Sequence, residues 1–222
     1  MAKIFITGGI SSGKSGFAEK TALLLHKTEM SVDGGGRRGL AGKDFTEKSR
    51  GLLHFIATAR LEPGCEDKNE KNETRERKQC RDEELALKIK KHKEKRNKTF
   101  IVHENFGDLY AEIDGIRKFL SSGSDAERGV ILIDSMTLWL SSIFKDISGC
   151  DSALKSVMEF PRYLSKIECS VVTVADSLGF NMVPVDAYSR KFIEFNGLME
   201  QKLSAVSDEA YFVIAGNPVA LK

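Results

Sequence analysis

The chain has 222 residues, of which 41% are hydrophobic and 30% charged, with a formal net charge of +2. That length suits one α/β domain with a full core, and no apolar run reaches the roughly 18 to 20 residues a membrane span needs. A charge so near neutrality gives no general pull towards nucleic acid or an anionic membrane, and the scattered Cys65, Cys80, Cys150 and Cys169 lack the paired spacing of a cysteine zinc site.

Nothing at the start has the basic, apolar and small-residue order of a signal peptide, so a cytoplasmic protein is expected. Ile4-Phe5-Ile6-Thr7 is a short β-branched and aromatic run ending in Gly8-Gly9, and Phe17, Ala18 and Leu23-Leu24-Leu25 follow at helical spacing. A strand therefore passes through a tight turn into a helix. The turn, Gly8-Gly9-Ile10-Ser11-Ser12-Gly13-Lys14-Ser15, satisfies GxxxxGK(S/T) in the strand-to-helix context that this phosphate-binding motif requires. Its glycines let backbone N–H groups turn inward around a polyphosphate, and the helix N-terminus adds partial positive charge. Lys14 supplies a point charge to the β and γ oxygens, and the Ser15 hydroxyl can ligate Mg2+.

Residues 28–51 are Gly-rich, polar and basic and read as a long mobile loop, which precedes a strand at "LLHFIATA". A second insertion, near 61–81, is a mixed-charge run that cannot form a core. From about Asp82 it continues as a helix, where Glu84, Lys88, His92 and Arg96 form one stripe at four-residue steps beside an apolar Leu85 and Ile89. Cations flanking His92 disfavour its protonation and keep a ring lone pair free, which suits a nucleophile at phosphorus; a solvated basic helix is the plainer alternative. The lysines carry no interleaved aromatics, so no nucleic-acid partner is expected.

Further strands are predicted at "TFIVHE", "VILIDS", "SVVTVAD" and "AYFVIAG", with "VALK" turning back as an antiparallel edge after Gly216-Asn217-Pro218. Asp134, after four apolar residues, is placed as the second magnesium anchor at a strand end, although a carboxylate there can also cap the next helix. Continuous apolar strands alternating with helices predict a mostly parallel sheet covered on both faces, a single nucleotide-binding domain over 1–222.

The blocks "FITGGISSGKSGFAE", "FIATA", "DEELALKIKKHKEKR", "VILIDSMTLWLSSIF" and "GFNMVPVDAYSRKFIEFNGLMEQKLSAVSDEAYFVIAG", in that order, resemble the bifunctional adenosylcobinamide kinase / adenosylcobinamide-phosphate guanylyltransferase family of cobalamin nucleotide-loop assembly. The resemblance implies a RecA-like P-loop NTPase fold with an antiparallel C-terminal edge strand. It also implies a two-stage chemistry using ATP, GTP and Mg2+. A nucleoside triphosphate phosphorylates adenosylcobinamide, and a guanylylated histidine then passes GMP to the new phosphate to give adenosylcobinamide-GDP.

Carried over by position, the histidine is His92, with Lys14 and Arg96 catalytic beside it. Lys88 and Glu104 are nucleotide contacts in addition to Gly8, Gly9, Ile10, Ser11, Ser12, Gly13, Lys14, Ser15 and Asp134, and Ser15 and Asp134 hold the metal. A homotrimer whose subunits help close one another's sites is implied as well. The chain departs from the family pattern at Asp176-Ser177, where Asn-Glu is usual, at Asn181 for a glycine, at Glu200 for an asparagine and at Phe100 for a tryptophan. A kinase without guanylyl transfer and a non-catalytic nucleotide-gated binding module remain alternatives.

Overall fold

The computed structural model of the chain describes residues 1–31, 52–59, 97–121, 129–180 and 183–222. Within them run β1 (Lys3–Gly8), α1 (Lys14–Ser31), β2 (Leu53–Ala57), β3 (Ile101–His103), α2 (Leu109–Ser121), β4 (Val130–Asp134), α3 (Met136–Ile143), α4 (Cys150–Leu164), β5 (Ser170–Asp176), α5 (Ala187–Val206), β6 (Glu209–Ile214) and β7 (Asn217–Ala220). The predicted insertions, the helix from Asp82 and the stripe Lys88, His92 and Arg96 lie outside the described residues, apart from the end of α1.

The strands form one sheet in the order β3-β2-β4-β5-β1-β6-β7. The six from β1 to β6 pair in parallel, and β7 runs antiparallel to β6. Parallel strands covered on both faces have no solvent side, so they need apolar residues at every position. Val130–Ile133 are accordingly all buried. Side chains alternate between two cores. Phe5, Ile131, Ile133 and Val171 meet helices α2 to α5, whereas Ile4, Ile6, Leu132 and Val172 meet α1. Helices thus cover both faces, and the order places β5 between the phosphate-loop strand β1 and the acidic strand β4, the arrangement of a RecA-like P-loop domain.

Helix α1 approaches its face through Ala18, Ala22 and His26, a buried stripe of small or polar side chains at four-residue steps. Leu24, inside the apolar run Leu23-Leu24-Leu25, is 62% exposed. The small side chains allow close approach to the sheet, so hydrophobicity alone did not mark the packing face. The opposite layer is held by rings. Phe160 is fully buried, with Tyr110, Trp139 and Tyr163 centroids at 5.4, 4.9 and 6.2 Å. Phe160→Ala is expected to cost about 3–5 kcal/mol, because the neighbouring helices cannot collapse into the vacated volume. Urea denaturation should show the lost stability as a lower midpoint with an unchanged slope.

At the far edge, polar groups tie β3 down. His54 Nδ1 and His103 Nε2 are 2.9 Å apart, and His103 Nδ1 lies 2.5 Å from Glu112 Oε1 on α2. Phe100, where the family pattern has tryptophan, is buried edge-on against Phe55 at 5.9 Å.

Candidate active site

The phosphate loop folds as the motif predicts. Ser11 and Gly13 have φ of 60° and 96°, and Ser12 N–H donates to Gly9 O at 3.2 Å. Gly8 and Gly13 are required for different reasons. A Cβ on Gly8 would stand 2.4 Å from Val213 O, a backbone atom of the neighbouring strand, and Gly13 combines a left-handed φ with a Cβ position 3.2 Å from Gly216 Cα. Gly216 N–H donates to Ser12 O at 2.8 Å, so the β6–β7 turn braces the loop from outside. Ile10 stands at the loop tip, 74% exposed.

Lys14 is buried, and a buried ammonium needs anionic or carbonyl partners. It donates to Gly9 O at 3.1 Å and makes an ion pair with Asp176 Oδ1 at 2.5 Å. The carboxylate on the lysine is therefore the one at the end of β5. Strand register explains this placement. Asp176 pairs level with Gly8, whereas Asp134 pairs with Val174, which is level with Ile6. Asp134 ends β4 one strand further away. The helix-capping alternative for it falls instead to Ser135, whose hydroxyl accepts from Leu138 N–H at 3.3 Å.

Asp176 is clamped through its backbone. Its N–H donates to Thr137 Oγ1 at 2.8 Å, its carbonyl accepts from Asn196 Nδ2 at 2.8 Å, and Thr137 donates to Asn196 Oδ1 at 2.9 Å. Both side chains are buried. The next residue closes the loop from the other side, with Ser177 N–H donating to Gly8 O at 2.9 Å. Glu200, on α5, accepts from the Thr7 hydroxyl and bonds the Ser177 side chain. The departures at Asp176, Ser177 and Glu200 thus form one acidic, hydrogen-bonded group beside the loop.

Burial raises the Glu200 carboxyl above its ordinary range, the Thr7 and Ser177 hydrogen bonds oppose that, and the nearby Asp176 charge adds to it. A raised carboxyl disfavours the fold as it ionises. The penalty is absent below the ordinary carboxylate range, grows as pH rises through the folded pKa and is constant above it. Glu200→Gln keeps an acceptor for Thr7 and removes the charge. Its melting temperature is expected to exceed that of the native chain at neutral pH, by about 2–4 °C for each kcal/mol relieved, with the difference vanishing near pH 4. A constant difference across a pH series of melting curves would contradict this account.

The arrangement fits a polyphosphate. Ser12 Oγ is buried in the loop with no hydrogen-bond partner, Lys14 supplies a cation, and α1 starts at Lys14 with its N–H groups towards the loop. Ser15 and Asp134 offer the hard oxygen donors that Mg2+ takes. Glu104 is not brought to this group. It follows β3, with β2, β4 and β5 between that strand and β1, which is about 19 Å along the sheet at normal strand spacing. The Thr137–Asn196 clamp and the Gly216 brace had no sequence motif to reveal them.

The family profile described as cobinamide kinase / cobinamide phosphate guanyltransferase (CobU) matches residues 30–221, a stretch that begins after the phosphate loop. The bifunctional adenosylcobalamin biosynthesis protein CobP of Pseudomonas aeruginosa is 28% identical over 102 residues, covering 45% of this chain and 57% of that protein. The match therefore spans little more than half of that curated relative. Two solved structures from Pyrococcus horikoshii OT3 are similar at a TM-score of 0.40 each. One is a KaiC-like protein at 12% identity, covering 95% of this chain and 70% of that one; the other is at 8% identity, covering 100% and 86%. Both are too distant to bear on the site. With the match running over residues 30–221, the chain belongs to the CobU family of cobinamide kinase / cobinamide phosphate guanyltransferases.

Proposed function

We propose that the chain phosphorylates adenosylcobinamide with a nucleoside triphosphate and then transfers GMP from GTP, through a guanylylated histidine, to give adenosylcobinamide-GDP. The observation that carries the first half is Lys14, buried in a glycine cradle at the C-terminal ends of parallel strands. In this reading Gly8 to Ser15 hold the phosphates and Lys14 meets the charge that develops on the transferred phosphorus. Ser15 and Asp134 would hold Mg2+, which would supply positive charge to offset that of the phosphates. The mouth beside the loop suits a large, flat and partly apolar acceptor. Phe180 lies edge-on to Phe212 at 5.6 Å, and Val183 and Val185 are exposed on the same β5–α5 connection.

The second half rests on His92, with Lys88 and Arg96 as its cationic neighbours and Glu104 as a guanine nucleotide contact. Elimination supports His92. The chain has four histidines; His26 and His54 are buried, and His103 is bonded at both ring nitrogens. A trimer, in which a neighbouring subunit completes the site, accommodates the distance of Glu104 from the loop, and a cytoplasmic setting accords with a soluble substrate. Among the described residues no helix is long and apolar enough to cross a membrane.

Incubation with adenosylcobinamide, ATP, GTP and Mg2+ tests the proposal by product analysis. Adenosylcobinamide-GDP and pyrophosphate are expected. No phosphorylated corrinoid would remove the assignment. Adenosylcobinamide phosphate that accumulates unconverted in the presence of GTP would establish the kinase-only alternative, which the remote position of Glu104 favours.

A further inference from the structure

We propose that Asp176 sets how strongly the phosphate loop prefers a nucleoside triphosphate to a diphosphate, by competing with the phosphates for the Lys14 ammonium. This rests on the kinase half of the proposed function, in which the loop holds the triphosphate. An ammonium has three N–H donors. Two of them are taken in this structure, by Gly9 O at 3.1 Å and by Asp176 Oδ1 at 2.5 Å. One donor is left. A lysine at this position of the motif serves both the β and the γ oxygens of a triphosphate, but only the β oxygen of a diphosphate. A diphosphate therefore seats on the free donor, whereas a triphosphate requires one of the two present partners to leave.

The partner that leaves is the carboxylate. Gly9 O belongs to the loop backbone and also accepts from Ser12 N–H at 3.2 Å, so displacing it would unmake the turn that forms the cradle. Asp176 is differently placed. Its side chain is 21% exposed against 9% for that of Lys14, so the carboxylate can turn to water. The buried Thr137 and Asn196 meanwhile hold its backbone through its N–H and its carbonyl. Only the side chain has to move. The other carboxyl close by, Glu200, is engaged by Thr7 and Ser177 instead.

The charge on that partner sets this chain apart. Asparagine, usual at this position in the family pattern, would offer Lys14 a neutral carbonyl oxygen of nearly the same shape. A carboxylate bonds an ammonium about twice as strongly as a neutral acceptor does. It also faces the incoming phosphate charge at close range, since two acceptors on one tetrahedral nitrogen, each at about 2.8 Å, lie about 4.6 Å apart. Both effects act against the triphosphate more than against the diphosphate. In the free chain the same ion pair keeps a buried cation from standing unpaired.

The test compares full-length Asp176→Asn with the native chain by equilibrium titration with ATP and with ADP, each with Mg2+ at pH 7. The Kd for ATP is expected to fall about tenfold and that for ADP by less, so that the ratio of the ADP constant to the ATP constant rises at least about threefold. Partial unfolding cannot imitate that rise, because a smaller competent fraction weakens both nucleotides by the same factor. A ratio changed by less than about threefold would overturn the proposal, leaving at most a charge felt equally by both nucleotides. Weaker binding of ATP would overturn it too, and would make Asp176 a support for the loop or a ligand of the metal. If Asp176→Asn does not fold, Asp176→Ser decides in its place, with the same readout and the same threshold. A native chain that binds neither nucleotide would defeat the functional reading itself, an outcome separate from a native chain that binds both and is indifferent to Asp176.

Discussion

His92→Ala is expected to eliminate the covalent guanylyl adduct while phosphorylation of adenosylcobinamide continues. The measurement is incubation with GTP labelled at the α-phosphate, followed by acid and base treatment of the denatured protein. A phosphoramidate on an imidazole nitrogen is labile to acid and stable to base, which separates it from a phosphoester on serine. Loss of the nucleophile should lower GMP transfer by at least about 10³-fold, equivalent to about 4 kcal/mol of barrier. The flanking cations add a testable sign. Lys88 and Arg96 stand four residues on either side in sequence, and cations beside an imidazole disfavour its protonated form, so replacing either with glutamine should move the acid limb of GMP transfer to higher pH. A labelled adduct that survives in His92→Ala would place the nucleophile elsewhere. The three remaining histidines are poor candidates, two being buried and the third engaged by His54 and Glu112.

Much of the sheet was legible because parallel strands buried on both faces leave an unmistakable trace. "VILID" and "SVVTVAD" have no polar alternation to confuse with a surface strand, and both form where they were placed. The turn from β1 into α1 was legible for a related reason. A polyphosphate cradle needs glycines at fixed offsets, and the lysine and serine must follow at once. The buried stripe of α1 was not legible. Ala18, Ala22 and His26 carry little hydrophobic signal, and Leu24 carries much, yet it is the former that face the sheet.

The partner of Lys14 was hidden for a different reason. Asp176 is 162 positions away in sequence, and only the insertion of β5 between β1 and β4, together with the register of those strands, brings its carboxylate to the loop. The sequence marked Asp176-Ser177 and Glu200 as separate departures from the family pattern. Their relation appears only in three dimensions, where the Glu200 carboxyl bonds the Ser177 side chain and feels the charge of Asp176. Substitutions at two distant places thus compose one altered polar group beside the phosphate loop.

Removing the loop cation should have the largest effect on the kinase half. Lys14→Met keeps most of the buried aliphatic stem and deletes the charge. Phosphoryl transfer is expected to fall by at least about 10²–10³-fold, or about 3–4 kcal/mol of transition-state stabilisation, the magnitude typical of losing one preorganised donor. A second consequence follows from the ion pair. Without the ammonium, Asp176 loses its partner at 2.5 Å and is left as an unpaired carboxylate in a partly buried site. Lys14→Met should therefore be less stable than the native chain at pH 7, and Lys14→Met combined with Asp176→Asn should regain part of that loss. Melting curves at pH 7 separate the two variants, and a double variant no more stable than the single one would show that the pair contributes little to the fold. The kinetic loss should persist in the double variant. Stability can be recovered by neutralising the carboxylate, but the charge on the transferred phosphorus still finds no cation in the loop.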